Sequence, residues 1–455
     1  MSRNPCDCSP SSPRRVLLAV ALASFMVALD VTALNVALPA VGKALNAGMD
    51  GLQWIAGAYT LVFASLLLTA GALSDRYGAL GVFSVALVEF VLASLACGIA
   101  PDLSYLIAAR VAQGIGAALM LPSSMALLAA AYPSPAERGR AMAVWGGVSA
   151  CALVAGPVVG GGLIEWAGWK WIFFLNLPAG VVTLIAILWS PIRVPAVPRR
   201  ADPLGQMLCS GALGGFIFGL IEGPVLGWAS WPIIGAFATA CVACGLFVRW
   251  QRVAESPMLP SGLFVERSFC LWVGTSFFQT LAYYGSLFAI PIALQERGWS
   301  AVQVGATMLP MTLVTGILAS LSGWLSARVG SAGLCSAGLF AAAMGSAVLA
   351  SVEPSWNVML GAGMLLGLGG ATLPLIVSGC LCTIPSMRIG VGAGVLNTAR
   401  QTGGVVGIAV LGLCLQGPQG TARAMAVVML AFLLAGGLVV LQRRLGMAAA
   451  LSDAT

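Results

Sequence analysis

The sequence contains no histidine and very few charged residues, since Lys, Arg, Asp and Glu together make up only 8% of its 455 residues. A soluble globular chain carries about 25% charged residues, so a fold with a water-facing surface on all sides is excluded. The chain also lacks a pair of Cys-x-x-Cys motifs, and with no histidine available we expect no metal site. Most of the 12 cysteines lie inside apolar segments, so they do not predict a disulfide framework.

A phosphate-binding loop is missing as well. The Gly42-Lys43 pair is followed by Ala44, so no Walker A motif is present. ATP is therefore not expected to supply energy, and we expect no cofactor.

Hydrophobic residues make up 59% of the chain, and 57 residues are glycine. Glycine destabilises helices in water but is frequent in membrane helices, where small residues let backbones approach closely. A bilayer core of about 30 Å needs about 20 apolar residues in helix, so the pattern predicts an all-α protein that crosses a lipid bilayer many times. The predicted fourteen spans lie near residues 16–39, 51–72, 79–99, 103–126, 140–163, 171–190, 204–223, 232–250, 269–293, 301–325, 332–351, 356–383, 391–415 and 422–442.

The distribution of basic residues predicts the orientation. If the N-terminus is cytoplasmic, most of the 22 Lys and Arg residues fall in cytoplasmic segments. The outer loops then receive only Lys43, Lys170, Arg297 and Arg423. We therefore expect a multi-pass protein of the bacterial inner membrane with both termini cytoplasmic. The net charge of +7 follows from this topology, so no nucleic-acid partner is expected.

Two pairs of segments resemble each other along the chain. Residues 71–78 after the second span match residues 323–330 after the tenth, and residues 147–160 of the fifth span match residues 394–407 of the thirteenth. This parallel repeat predicts two six-helix bundles with two inserted central helices, and a substrate site between the bundles. The predicted domains are an N-terminal tail (1–15), an N-terminal bundle (16–190), a linker with two inserted helices (191–265), a C-terminal bundle (266–442) and a C-terminal tail (443–455).

Five charged residues are predicted to lie inside spans, where each costs about 2.5–3.5 kcal/mol to insert and so usually marks a functional path. Asp30 lies near the middle of the first span, and its carboxyl group could carry a proton across. Arg110 and Gln113 share one face of the fourth span and could interact with it. We therefore predict that Asp30 and Arg110 couple transport to protons, with Glu89 in the third span as a further candidate.

The other two charged residues have different expected roles. Glu222 ends the seventh span, where an ordinary interfacial carboxylate is expected. Arg400 lies on the thirteenth span with Asn397 on the same face, and this polar stripe is expected to face a cavity and not lipid.

The fifth span contains Gly156, Pro157 and Gly160. The two glycines permit close packing, while the proline removes one helical hydrogen bond and bends the helix. These residues predict a bent, tightly packed helix that serves as a hinge between the two bundles.

Several motifs together resemble those of the fourteen-span drug–proton antiporters of the major facilitator superfamily, over about residues 16–442. The resemblance implies a proton-coupled exporter, with Asp30 at the acidic position and Arg110 in proton transfer. The matching motifs are Leu29-Asp30-x-Thr32-x-x-Asn35-Val36-Ala37-Leu38-Pro39, Gln53-Trp54-x-x-x-Ala58-Tyr59-x-Leu61, Arg110-x-x-Gln113-Gly114-x-Gly116-Ala117-Ala118, Gly156-Pro157-x-x-Gly160-Gly161 and Trp169-Lys170-Trp171-Ile172-Phe173-x-x-Asn176-x-Pro178-x-Gly180.

A further motif, formed by Gly71, Asp75, Arg76 and Gly78, is implied by the same resemblance to act in the conformational switch. The family normally has basic residues directly after it, whereas this chain has Ala79-Leu80-Gly81, so this lock is expected to be weaker or to use other partners.

The leading functional hypothesis is export of drug-like or antibiotic small molecules in exchange for protons. Aromatic and methionine side chains would suit apolar or cationic aromatic compounds. The predicted cavity residues are Tyr59, Gln113, Phe277, Phe278, Tyr283, Tyr284, Met308, Met311, Asn397 and Arg400.

Three alternatives to this hypothesis make different demands on the sequence. A dedicated proton-coupled exporter of one endogenous metabolite or peptide would carry the same motifs. A polytopic membrane enzyme is disfavoured because the chain has no histidine and few interfacial acids. A scaffold or sensor would have no reason to keep Asp30 and Arg110 in the bilayer. We expect a monomer, with a periplasmic adaptor left open as a partner.

Overall fold

The computed structural model describes residues 12–190, 192, 202–254, 258–259, 262, 264–384, 389–417 and 419–452. Within these residues the chain forms helices and no strands. The helices are α1 (Ser12–Leu45), α2 (Met49–Tyr77), α3 (Ala79–Gly98), α4 (Leu103–Ala131), α5 (Pro135–Ala167), α6 (Lys170–Phe174), α7 (Asn176–Leu188), α8 (Pro203–Leu226), α9 (Trp231–Val253), α10 (Arg267–Glu296), α11 (Ala301–Val329), α12 (Ser331–Ser351), α13 (Trp356–Gly370), α14 (Leu373–Cys382), α15 (Ile389–Leu415) and α16 (Gly420–Ser452).

Over the described residues these helices make fourteen apolar spans, which confirms the predicted number. Two spans consist of two helices each: α6 and α7 meet at Leu175, and α13 and α14 are separated by Ala371 and Thr372. Several helices extend beyond the predicted spans. The 34 residues of α1, for example, reach about 50 Å at a rise of about 1.5 Å per residue, well beyond the hydrocarbon core.

The arrangement has the predicted plan of two six-helix bundles with an inserted pair. Helices α1–α7 form one bundle and α10–α16 the other, and the inserted helices α8 and α9 pack on each other. The bundles meet where α2 packs on α15 and where α5 packs on α11. These are the four helices that carry the two sequence repeats, so the repeats mark the interface between the bundles.

The repeated glycines have matching roles in the two bundles. Gly156 and Gly160 let α5 lie against Thr32 and Ala33 of α1, while Gly403 and Gly407 let α15 lie against the backbone of α10. The other repeat, residues 71–78 and 323–330, also has the same backbone at its end, since Gly78 and Gly330 have positive φ angles of 86° and 88°.

The predicted domain boundaries stay predictions. Both ends of the chain, at residues 1–11 and 453–455, lie outside the described residues, as do residues 191, 193–201, 255–257, 260–261 and 263 of the predicted linker.

The bundles are closed against each other on the side opposite the chain termini. The side-chain amide of Gln53 donates to the carbonyl of Ala409 at 2.7 Å, and that of Gln295 donates to the carbonyl of Val36 at 2.8 Å. Each of these hydrogen bonds joins one bundle to the other near the helix ends farthest from the termini. A cavity between the bundles extends toward the other side, which holds both termini, as far as Trp145 of α5 and Leu381 of α14.

Large apolar side chains cover the outer surface of the helices. Trp166, Trp189 and Trp231 are 83%, 69% and 85% exposed, and each lies at a helix end. Such positions are typical of tryptophans that anchor helices at the two membrane interfaces.

Candidate functional site

A buried ionic cluster joins α1 to α4. Arg110 Nη1 lies 2.5 Å from Asp30 Oδ2, and Gln113 Nε2 donates to the other carboxylate oxygen at 2.9 Å. The cluster is closed because Arg110 Nη1 also donates to Gln113 Oε1 at 2.6 Å. Asp30 is 80 positions from Arg110 and 83 from Gln113 in the sequence, and all three side chains are at most 1% exposed.

The guanidinium group of Arg110 has further support from α2. Its Nε donates to the carbonyl of Ile55 at 3.2 Å, and its Cζ lies 4.3 Å from the centroid of the Tyr59 ring. A cation over an aromatic face is stabilised by the ring quadrupole, most strongly where water is excluded. Three helices of the N-terminal bundle therefore hold this single cation.

Asp30 is the only acidic residue of the ionic cluster. Breaking a buried ion pair by removing one partner costs about 3–5 kcal/mol, because the remaining charge is left uncompensated. Protonation of Asp30 would remove its charge and release Arg110 from the pair, so the cluster is suited to link proton binding to a movement of α1 against α4.

A cavity of about 660 Å³ lies next to the cluster, between the two bundles. Its volume falls within the range of about 300–1,000 Å³ that is typical of small-molecule sites. The N-terminal bundle contributes Ser24, Val27, Ala28, Val31, Thr32, Leu34, Asn35, Ala56, Tyr59, Thr60, Phe63, Arg110, Leu121, Trp145, Gly146, Ser149, Ala150 and Leu153 to its wall. The C-terminal bundle contributes Tyr284, Thr315, Gly316, Ala319, Gly370, Leu373, Pro374, Val377, Ser378, Leu381, Arg400, Gln401 and Ile408.

The structure places only three of the predicted cavity residues on this wall: Tyr59, Tyr284 and Arg400. The other predicted residues are not among those that line it, and they are Gln113, Phe277, Phe278, Tyr283, Met308, Met311 and Asn397. The prediction that these seven residues line this cavity is therefore corrected, and helix packing explains where several of them lie instead. Met311 is buried where α11 meets α13, Met308 is buried one turn before it, and Tyr283 is buried with its hydroxyl group 3.1 Å from Thr315 Oγ1.

Five residues of α5 line the cavity although none of them was predicted to do so: Trp145, Gly146, Ser149, Ala150 and Leu153. Trp145 and Ser149 lie one helical turn apart and both line the cavity, and the Ser149 hydroxyl group forms a hydrogen bond with that of Ser24 on α1. Their spacing of four residues was the available signal, because such a pair occupies one face of a helix.

Arg400 of α15 lies on the opposite wall from the ionic cluster. Within the described part of the chain it makes no hydrogen bond or ion pair, and its Nε atom is buried without a partner. The polar stripe of α15 therefore faces the cavity at Arg400 and Gln401.

Glu89 lies away from the cavity wall. Its carboxylate is in contact with α4 at Gly116, where a Cβ atom would come within 2.1 Å of Oε2, and that oxygen is buried with no hydrogen-bond partner among the described residues. The structure does not bring Glu89 into the Asp30 cluster.

Glu222 proves to be more than an exposed interfacial acid. Trp54 Nε1 of α2 donates to Glu222 Oε1 of α8 at 2.7 Å. The carboxylate thus fixes an inserted helix to the N-terminal bundle.

Of the predicted hinge residues, Pro157 lies at the contact between the bundles, whereas Gly156 and Gly160 face α1 of the same bundle. Gly305 of α11 approaches the carbonyl of Pro157 so closely that a Cβ atom would lie 2.4 Å from the oxygen, and Gly161 of α5 approaches the carbonyl of Ala301 in the same way, at 2.6 Å.

Gly71, Asp75, Arg76 and Gly78 lie in and just after the last turns of α2, and the guanidinium Cζ of Arg76 is 5.4 Å from the Tyr77 ring centroid. Their role in switching stays a prediction.

The family model described as "Major Facilitator Superfamily" matches residues 20–408. The chain belongs to the major facilitator superfamily. It is a multi-pass membrane protein of a transporter family.

Curated relatives share about a third of their residues with this facilitator. The methylenomycin A resistance protein of Streptomyces coelicolor is 35% identical over 431 residues, which is 92% of this chain and 90% of the relative. The multidrug resistance protein Stp of Mycobacterium tuberculosis is 34% identical over 400 residues, covering 87% of this chain and 74% of the relative. The tetracenomycin C resistance and export protein of Streptomyces glaucescens is 34% identical over 414 residues, covering 88% and 76%.

A solved structure supports the fold. A bacterial homologue of the human lysosomal transporter Spinster, in an inward-facing and unoccupied conformation, matches with a TM-score of 0.69 over 96% of this chain and 98% of that chain. Its sequence identity is 17%, so the likeness concerns the fold alone.

Proposed function

We propose that this facilitator exports drug-like or antibiotic small molecules across the bacterial inner membrane in exchange for protons. The observation that carries the proposal is the buried cluster of Asp30, Arg110 and Gln113 directly beside a ligand-sized cavity between the bundles. The names of the relatives, which refer to resistance, export and multidrug resistance, support export as the direction.

In the proposed cycle, Asp30 binds a proton from the outer side and releases it to the cytoplasm. The ionised form pairs with Arg110, while the protonated form frees it, so each proton changes the contacts between α1 and α4. One charge that crosses about 100 mV releases about 2.3 kcal/mol, which supports roughly a fifty-fold gradient of substrate. Glu89 remains the next candidate for a coupling group.

The orientation belongs to the same proposal. The excess of basic residues on the side of the termini supports a cytoplasmic location for both termini. The cavity then faces the cytoplasm, where a substrate for export is bound. We propose that the chain works as a monomer, without ATP or another cofactor, on protons and a small-molecule substrate.

A second candidate is a dedicated exporter of one compound. The observation that favours it is the methylenomycin A resistance protein, whose name refers to a single antibiotic and which matches this chain over nearly the full length of both.

The test is efflux from a pump-deficient bacterium loaded with a panel of neutral, cationic and anionic fluorescent dyes. Native protein, Asp30→Asn, Glu89→Gln and empty vector are compared with and without a protonophore. We expect export that stops with the protonophore and in Asp30→Asn but continues in Glu89→Gln. Export that survives Asp30→Asn would move the coupling site elsewhere. A native protein that exports no dye would favour the dedicated exporter.

A further inference from the structure

Arg400 is the only charged side chain that the C-terminal bundle contributes to the cavity wall, within the described residues. It lies on α15 one turn before Gly404, which packs against Tyr284, another residue of the wall. A cation with its Nε atom buried and unpaired is unfavourable in a membrane protein, where intramembrane charges almost always have a partner.

No carboxylate in the described part of the chain compensates this charge. None of the lining residues is acidic, and the nearby Asp30 is 0% exposed, absent from the wall and already paired with Arg110. The ionic cluster is therefore neutral as a unit. Arg110 also lines the wall, but ionised Asp30 compensates its charge, so the net charge at the cavity is the positive charge of Arg400.

We infer that the substrate is an amphiphilic organic anion whose carboxylate pairs with Arg400. The planar guanidinium group presents paired N–H donors that match a carboxylate, and such charge-assisted bonds are strengthened where water is excluded. The apolar body of the ligand would lie against side chains such as Val27, Phe63 and Leu121 on the facing wall.

This inference rests on the proposed function, because it assigns the charge of the exported molecule. It also replaces the cationic aromatic compounds that the sequence suggested. A cation would meet the like charge of Arg400 with no acid on the wall to offset it.

The test is direct binding to purified protein in detergent, without a proton gradient. Three ligands share one apolar body and differ in their polar group: 3-(2-naphthyl)propanoate, its primary amide and 3-(2-naphthyl)propylammonium. Their affinities are obtained from the dependence of the thermal unfolding midpoint on ligand concentration. The proteins are the native chain, Arg400→Gln, Arg400→Lys and the control Arg444→Gln, which removes an exposed arginine near the end of α16.

We expect the native chain and Arg444→Gln to bind the carboxylate at least about tenfold more tightly than the amide, and the ammonium more weakly than either. Arg400→Gln should lose this preference, while Arg400→Lys should keep part of it because it keeps the charge. The inference is overturned if the folded native chain does not bind the carboxylate, if it prefers the ammonium, or if Arg400→Gln keeps the preference. Loss of proton-driven efflux with intact carboxylate binding would instead count against the proposed function alone.

Discussion

Gln113 holds the two charged residues of the ionic cluster in place. Its amide group donates to Asp30 and its carbonyl oxygen accepts from Arg110, so both ends of the side chain are used. Because the side chain is 0% exposed, no water can replace either bond.

Gln113→Met should therefore destabilise the protein although the two side chains have similar shape. Leaving buried polar groups without partners costs about 1–3 kcal/mol, so the thermal unfolding midpoint in detergent should fall. Gln416→Met, in the loop before α16, is the control and should leave the midpoint unchanged. Equal midpoints for the two variants would show that Gln113 is not part of a stabilising cluster.

For single residues, the sequence predicted which charged residues interact better than it predicted which residues line the cavity. Asp30 and Arg110 could be recognised because charge is rare in hydrocarbon, and the structure brings them together. Phe277 and Met308 could not be placed, because apolar side chains lie on every face of α10 and α11. Hydropathy alone then does not show which face points at the cavity. Arg400 was predicted to face a cavity, but the lack of a partner for it appears only in the structure.

Helix α8 is fixed to the N-terminal bundle by the bond between Trp54 and Glu222. Near its other end, Gln206 accepts a hydrogen bond from Thr69 at 2.5 Å and donates to the carbonyl of Ser65 at 3.0 Å. The inserted helix is thus attached to α2 at two levels of the membrane.

A double-mutant cycle with Trp54→Phe and Glu222→Leu should show a coupling of about 0.5–3 kcal/mol in thermal unfolding, because each change removes one partner of the same bond. Additive effects would exclude the interaction. Proton-driven efflux should persist in Glu222→Gln, since this carboxylate serves docking. Its abolition in a stable variant would make Glu222 a coupling group instead.

The contact of α5 with α11 offers a comparison between neighbouring glycines. A Cβ atom on Gly161 would lie 2.6 Å from the backbone oxygen of Ala301, whereas one on Gly162 would meet nothing within 4 Å. Gly161→Ala should push the two bundles apart on the closed side, with a loss of about 1–3 kcal/mol in stability and slower efflux.

Gly162→Ala, measured by the same unfolding and efflux assays, should leave both unchanged or slightly raise stability, since alanine favours helix. If both variants behave alike, close packing at Gly161 is not needed for transport.

Helix content and the number of spans followed directly from hydropathy. The start of α11 also carries a sequence signal, because Ser300 and Gln303 form a capping box there. The breaks within the sixth and twelfth spans did not follow, because Leu175, Ala371 and Thr372 continue the surrounding composition. The place where α8 packs on the N-terminal bundle could not be predicted either, since it depends on contacts between segments that are distant in the sequence.

The whole molecule has one closed side and one open side. Val302 N–H of α11 donates to Glu165 Oε1 of α5 at 3.0 Å, which adds a third link to those of Gln53 and Gln295 across the closed side. Ser149 lies on the cavity wall and should be reachable only from the side of the termini.

A Ser149→Cys variant with all native cysteines replaced by serine should react with a membrane-impermeant maleimide in inside-out vesicles but not in intact cells. The same variant treated in permeabilised cells serves as the positive control. Labelling in intact cells alone would reverse the proposed orientation, and labelling from both sides would show that the closed side opens readily.

The inserted helices make the two seams between the bundles unequal. Along the seam of α2 and α15, Ile217 and Ile221 of α8 pack against Val405 and Ala409, so protein separates that seam from lipid. Along the seam of α5 and α11, Val158 of α5 lies against Gly305 of α11 and is still 44% exposed on the apolar surface. Helix α8 therefore blocks lateral entry from the bilayer at one flank, and a lipophilic molecule that entered from the side would have to pass between α5 and α11.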